Sequence, residues 1–220
     1  MAAKFFSLGV ALLLSLPALS QYAPPLPTQK HLVGVEAGYD YSVVTVNFRY
    51  GFHLPRLRSA PFVEFTQNTA LPGLNNSRSQ IGIRSWQGSV GRFLLTSQLA
   101  IQSIGASNKA GNYNAVGAVV ELNPGLLFNR FGLGLNLAYN PVFATHITHS
   151  TDFHDRFFRE AKDGWYRQTA TNLRAGVNLL YLLNSHKSLE MSLKGGYQTS
   201  GSLDQLLPPV YLLLGVNKRF

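Results

Sequence analysis

The densest gathering of chemically able side chains lies between residues 146 and 155, where His146, His149, Asp152, His154 and Asp155 fall close together. Imidazole nitrogens and carboxylate oxygens are the donors that zinc and related ions take, so this cluster is the candidate outer-loop site. Its spacing matches no defined metal motif, and a polar exposed loop accounts for the same residues. No metal and no cofactor is therefore expected. A hydrolase needs a nucleophile or activated water beside a base, and only His149 with Ser150 or His154 with Asp152 offers that locally. Adjacent residues rarely aim their side chains at one reacting atom, so no catalytic residue is assigned. Phosphate-cradling loops of the form G-x-x-x-x-G-K are absent.

A second set of charges is spread along the chain: Glu36, Asp40, Arg49, Glu64, Arg84, Arg92, Glu121, Arg174, Glu190 and Lys194. Each stands opposite the apolar side of an alternating segment. They are expected to face one interior, paired with one another, because isolated ions in low dielectric cost several kcal/mol. Lining a narrow path for ions or solutes is the alternative use.

What must position both sets is a series of strands. Val33, Val35, Ala37, Tyr39 and Tyr41 alternate with Gly34, Glu36, Gly38 and Asp40, and the phase then flips so that Val44, Val46, Phe48, Tyr50, Phe52 and Leu54 carry the apolar face. A tight turn or a bulge near residues 41–43 explains the flip. Weaker alternation follows around Val63 and Phe65 and around Ile81 and Ile83. Clearer runs lie at 93–102, 116–123, 131–140, 172–181, 189–194 and 210–220. That predicts about ten strands, with eight possible, and a bulge at the first break would lower the count. Links after even-numbered strands are short, at 55–59, 87–91, 129–130 and 184–187. Several after odd-numbered strands are long, at 68–77, 103–114, 141–167 and 199–208, which is the asymmetry of short periplasmic turns and long outer loops. Within 141–167, Phe153, Phe157 and Ala161 recur at four-residue intervals, so a short amphipathic helix is expected there.

Composition agrees. Only 13% of the 220 residues are charged and no cysteine is present, about half the ~25% charge usual in soluble proteins. After the first 20 residues no run of 18 apolar residues occurs, so helical membrane spans are not expected and a closed barrel is the remaining spanning solution. Lys4 ahead of the apolar run Phe5–Leu16, with Ala18 and Ser20 beyond it, reads as an export signal over residues 1–20 cut near Ser20. Residues 21–30, with Pro24, Pro25 and Pro27, read as an extended periplasmic leader, and 31–220 as the barrel. The net charge of +9 is expected to meet lipid and lipopolysaccharide phosphates through Arg56, Arg58, Arg130, Lys187, Lys218 and Arg219 at strand ends. Nucleic acid is not expected as a partner, since basic residues are not clustered with aromatics.

With these strands, the apolar signal, the Gln after its cut site and the final Phe, the chain resembles the small outer-membrane β-barrel proteins of Bacteroidetes-type bacteria over residues 31–220. The last strand carries most of the likeness: Val210, Leu212, Leu214, Val216 and Phe220 look like the terminal signal read by the barrel-assembly machinery, which the resemblance implies as a transient partner. That resemblance implies an outer-membrane location in a Gram-negative cell and leaves activity open. The expected role is structural or partner-docking within the cell envelope and non-enzymatic. A narrow channel for small solutes or ions is the first alternative, and a lipid-modifying enzyme the second.

Overall fold

Alternation along the chain resolves into an all-β, closed antiparallel barrel of ten strands. The computed structural model describes residues 28–40, 43–68, 75–87, 92–156, 160–183, 188–200 and 209–220. The elements are β1 (His31–Asp40), β2 (Val43–Phe52), a 3-10 turn (Pro55–Leu57), β3 (Ser59–Asn68), β4 (Asn75–Gln87), β5 (Phe93–Asn108), β6 (Gly111–Phe128), β7 (Phe131–His149), α1 (Thr151–Arg156), β8 (Gly164–Leu182), β9 (Leu189–Ser200) and β10 (Val210–Arg219). Each strand pairs with its neighbours in sequence, and β10 closes onto β1 from Leu32↔Arg219 to Asp40↔Tyr211. Where all ten strands are paired around the barrel no strand edge is left open to lipid, which would not tolerate one; among the described residues the β8 segment 164–171, beyond the end of β9, pairs with β7 alone. Among the described residues no helix is long and apolar enough to cross a membrane.

The break after the first strand separates two strands that pair antiparallel up to Asp40↔Val43, so β1 and β2 count separately and the count stays at ten. At the opposite end Phe128 pairs with Phe131 across Asn129, whose φ of 54° is a left-handed conformation that asparagine tolerates. The expected export signal and residues 21–27 of the expected leader lie outside the described residues. Gln29 is buried and its carbonyl meets the ring of His53 at 3.1 Å, so the end of the leader packs beneath the barrel mouth.

Outward positions are apolar. On β7 Leu133, Leu135 and Leu137 are bracketed by Phe131 and Tyr139, and on β10 Val210, Leu212, Leu214 and Val216 are exposed in the same way, with Phe220 beyond them. Ten-residue strands such as β1 and β2, at roughly 3.3 Å per residue and a tilt of about 40°, span the ~25 Å apolar band of an outer-membrane barrel.

Two links expected to be long loops are strand instead. β5 and β6 continue to Asn108 and Gly111, and β7 and β8 run on to His149 and from Gly164. The 16 to 19 residues of β5–β8 make a wall standing roughly 15–20 Å beyond the band at the end away from the chain termini. Outside lipid its outward residues need not be apolar, and Ser103, Asn112, Asn114 and Thr148 occupy such positions. Loss of apolar alternation there marks the edge of the lipid and not the end of the strand. The expected helix is real but shorter, and Phe157 lies outside the described residues.

Candidate functional site: the filled lumen and the outer rim

Nine of the ten charges assigned to the interior do face the lumen, where they lie in layers. Near the termini Glu190 on β9 is paired with Arg219 on β10, both almost fully buried. At mid-height Lys194 Nζ lies 2.7 Å from Glu36 Oε1, Arg49 is paired with Glu64 on the adjacent strand, and Arg84 donates to Gln98 Oε1 at 2.7 Å. Glu121 accepts from Asn123 at 3.0 Å and from Asn136 at 2.9 Å. Higher still, Arg174 binds Asp40 at 2.9 Å and Gln198 at 2.8 Å, and Gln198 also donates to Asp40. The Arg174 guanidinium sits 4.5 Å from the Tyr211 ring centroid, and Tyr211 donates to Asn136 Oδ1 at 3.0 Å.

Arg92 lies outside this set. It has the parity of the inward residues of β5 but precedes the first of them, on the exposed rim, with its guanidinium 5.5 Å from the Phe128 ring centroid. Conversely Arg219, expected from sequence to be a headgroup cation, is buried in the lumen. Extending the alternation of Leu213, Gly215 and Asn217 by one step places it there. Lys218 keeps the outward face and lies 4.6 Å from the Phe220 ring centroid. The neutral partners Gln98, Asn123, Asn136 and Gln198 are absent from the sequence-derived set; their inward parity is visible in the sequence, but their partners lie on other strands.

At this end of the lumen Arg49, Arg84, Trp86, Glu190 and Arg219 border a cavity of about 50 Å³. Below it the His53 ring packs edge-on to Trp86 at 5.3 Å. Burial, together with the nearby Arg219 charge, holds His53 below its ordinary value of 6.5 despite the opposing bond to the Gln29 carbonyl. A folded state that resists protonating this ring binds fewer protons than the unfolded chain below pH 6.5, so stability should fall as pH drops through that value. Unfolding midpoints between about pH 8 and about pH 5 should fall less steeply for H53N than for the native chain. Equal slopes would remove His53 from the account.

At the outer rim the five predicted residues divide. His149, at the end of β7, and His154, on α1, come together with rings 5.5 Å apart. His146 turns to the Trp165 ring at 5.2 Å, while Asp152 and Asp155 are exposed on α1. The missing member is Asp163, immediately before β8. His149 donates to its Oδ1 from the backbone N–H at 2.9 Å, and the ring Nδ1 lies 2.7 Å from the same oxygen. The backbone bond first, and the ring contact after it, hold the Asp163 carboxyl below the usual carboxylate range. The β7–β8 register, Ile147↔Gly164, brings Asp163 to His149; no sequence spacing announces it.

A closed, ten-strand antiparallel barrel, apolar outside and ion-paired within, has the fold of the outer-membrane β-barrels of Gram-negative bacteria. Comparison with solved structures gives the same answer. The β-domain of the Bordetella autotransporter BrkA is similar over 87% of this chain and 99% of its own, with a TM-score of 0.50 and 11% identity. The translocator domain of the autotransporter NalP from Neisseria meningitidis matches over 87% of this chain and 88% of its own at 0.44 and 8%, and the KdgM porin over 86% and 99% at 0.38 and 6%. At such identities the likeness is one of fold. No family model matches the sequence, and no curated protein is similar to it by sequence.

Proposed function

We propose that this chain is an integral outer-membrane β-barrel with a structural or partner-docking role in the cell envelope, without enzymatic activity and without a conducting lumen. The filled interior carries this reading: ion pairs and amides link inward side chains of neighbouring strands at three heights, from Glu190–Arg219 on β9 and β10, through Glu36–Lys194 across β10, to Asp40–Arg174 across β10 and β9. Narrow barrels are packed by their side chains in this manner, whereas a channel needs a continuous aqueous path. The wall of β5–β8 beyond the apolar band offers a rigid paired surface for an envelope partner, and Phe143 and Trp165 are exposed along it.

Outer-membrane lipid and lipopolysaccharide are the constant neighbours of this surface. The outward row Val210, Leu212, Leu214, Val216 and Phe220 suits recognition by the barrel-assembly machinery, since the same strand must pair with β1 to close the barrel. The Bacteroidetes type rests on the sequence resemblance alone. In planar bilayers the purified barrel should produce no stepwise conductance, and a pull-down from native membranes should recover a stoichiometric envelope protein. Reproducible single-channel steps would replace this reading with the narrow channel. A change in lipid A mass profile on deletion would replace it with the enzyme.

A further inference from the structure

The rim cluster has a geometry that neither a solvated loop nor barrel closure requires. His149, His154 and Asp163 each offer one donor atom, and these atoms all lie within 4.8 Å of one another. His149 Nδ1 is 2.7 Å and His154 Nε2 3.9 Å from Asp163 Oδ1. A tetrahedral zinc ion bound at about 2.0–2.1 Å sets its ligands roughly 3.3 Å apart. The first separation has to open and the second to close by about 0.6 Å each, which small side-chain rotations supply.

Each ligand is held before an ion arrives. The His149 ring stacks on Phe153 with centroids 5.0 Å apart and planes 15° from parallel. Ser150 Oγ donates to the Lys109 carbonyl at 2.7 Å and accepts from the Phe153 N–H at 3.2 Å, tying the start of α1 to the β5–β6 hairpin. Asp163 precedes Gly164, whose φ of 139° a residue with a side chain rarely adopts, at the point where the chain turns into β8. An ion would displace only the ring contact from Asp163. The His149 backbone N–H, still bonded to the carboxylate at 2.9 Å, would remain to orient it, as outer-shell donors do in metal sites.

Access is open from one side: the His149 side chain is 12% exposed, that of His154 31% and that of Asp163 44%. Two imidazoles and one carboxylate favour zinc, copper or nickel over magnesium or calcium. Three protein ligands leave a fourth position for water or for a donor from a partner. We propose that His149, His154 and Asp163 form a binding site for a divalent late-transition metal ion, zinc first, at the end of the β7–β8 wall.

The test uses the full chain, refolded in detergent without a polyhistidine tag and stripped with EDTA. Calorimetric titration with zinc should show one saturable equivalent. H149A, H154N and D163N should each weaken binding about tenfold or more, while H146A and D152N leave it unchanged. Cobalt should give the visible absorption of a low-coordinate site, lost in the H149A/H154N pair. His154 lies on α1 outside the barrel, so H154N should keep the gel shift between boiled and unboiled samples that reports a folded barrel. No saturable binding to the native chain, binding that survives H149A/H154N, or loss as large in H146A would each overturn the proposal.

Discussion

K194M should lower the stability of the folded barrel by about 3–5 kcal/mol, the range for removing one partner of a buried ion pair. Lys194 and Glu36 have side chains only 8% and 7% exposed. They reach each other across β10, where Glu36 is paired with Gly215 and Gly215 with Ser192. A Cβ at Gly215 would lie 2.8 Å from Glu36 Cγ and 2.7 Å from Ser192 Oγ, so the glycine makes the gap over which the pair forms. With Lys194 gone, Arg49 cannot take its place without leaving Glu64. The double variant E36Q/K194M removes both charges and should recover most of the loss, because the penalty comes from the stranded carboxylate and not from a missing attraction. Guanidinium titrations in micelles, followed by tryptophan fluorescence, measure both. A K194M midpoint within about 1 kcal/mol of native, or a double variant as weak as the single one, would show that Glu36 is solvated and the lumen wetter than its side-chain packing implies.

Part of this layered interior is legible in the amino-acid sequence. Period-two alternation locates all ten strands, because lipid on one side and a polar lumen on the other impose opposite chemistry on successive residues. It also assigns Glu36 and Lys194 to one interior, yet it cannot say that they pair, since the partner of an inward residue depends on strand tilt and on what the intervening strand leaves open. Gly215 settles that locally, and a glycine in an alternating strand carries no label for the neighbour it makes room for. The alternation fails where lipid ends: beyond Tyr139 the outward side of β7 mixes Phe143 with polar residues such as Thr148 while the ladder continues to His149, so strand there has the sequence character of a loop. For the same reason nothing in the sequence singles out Asp163, because its closeness to His149 comes from a hairpin register that only the extended β7–β8 ladder defines.

The same dependence on small residues sets the second large effect, at Gly176. Tyr211 extends from β10 over β9 and β8 to reach Asn136 on β7, and beneath it Gly176 pairs with Gly196. A Cβ at Gly176 would lie 2.3 Å from Tyr211 Oη, 2.4 Å from the Gly195 carbonyl oxygen and 2.9 Å from Gly196 Cα. One side of that contact is a movable side chain and the other is paired backbone, so a substituent must displace both the ring and the wall. G176A is expected to lose about 2–3 kcal/mol, the upper part of the overpacking range. G176V, with two more carbons directed into the same space, should yield no band that shifts between boiled and unboiled samples. Y211F separates the two contributions. Alone it strands Asn136 Oδ1 and costs about 1–2 kcal/mol. Combined with G176A it should cost less than the sum, because the hydroxyl that the new methyl meets is already gone. Strict additivity would place the whole conflict in the β8–β9 backbone. A folded G176V barrel with a native midpoint would mean that Tyr211 does not lie across these glycines and that the group of Arg174, Asp40 and Gln198 is held without it.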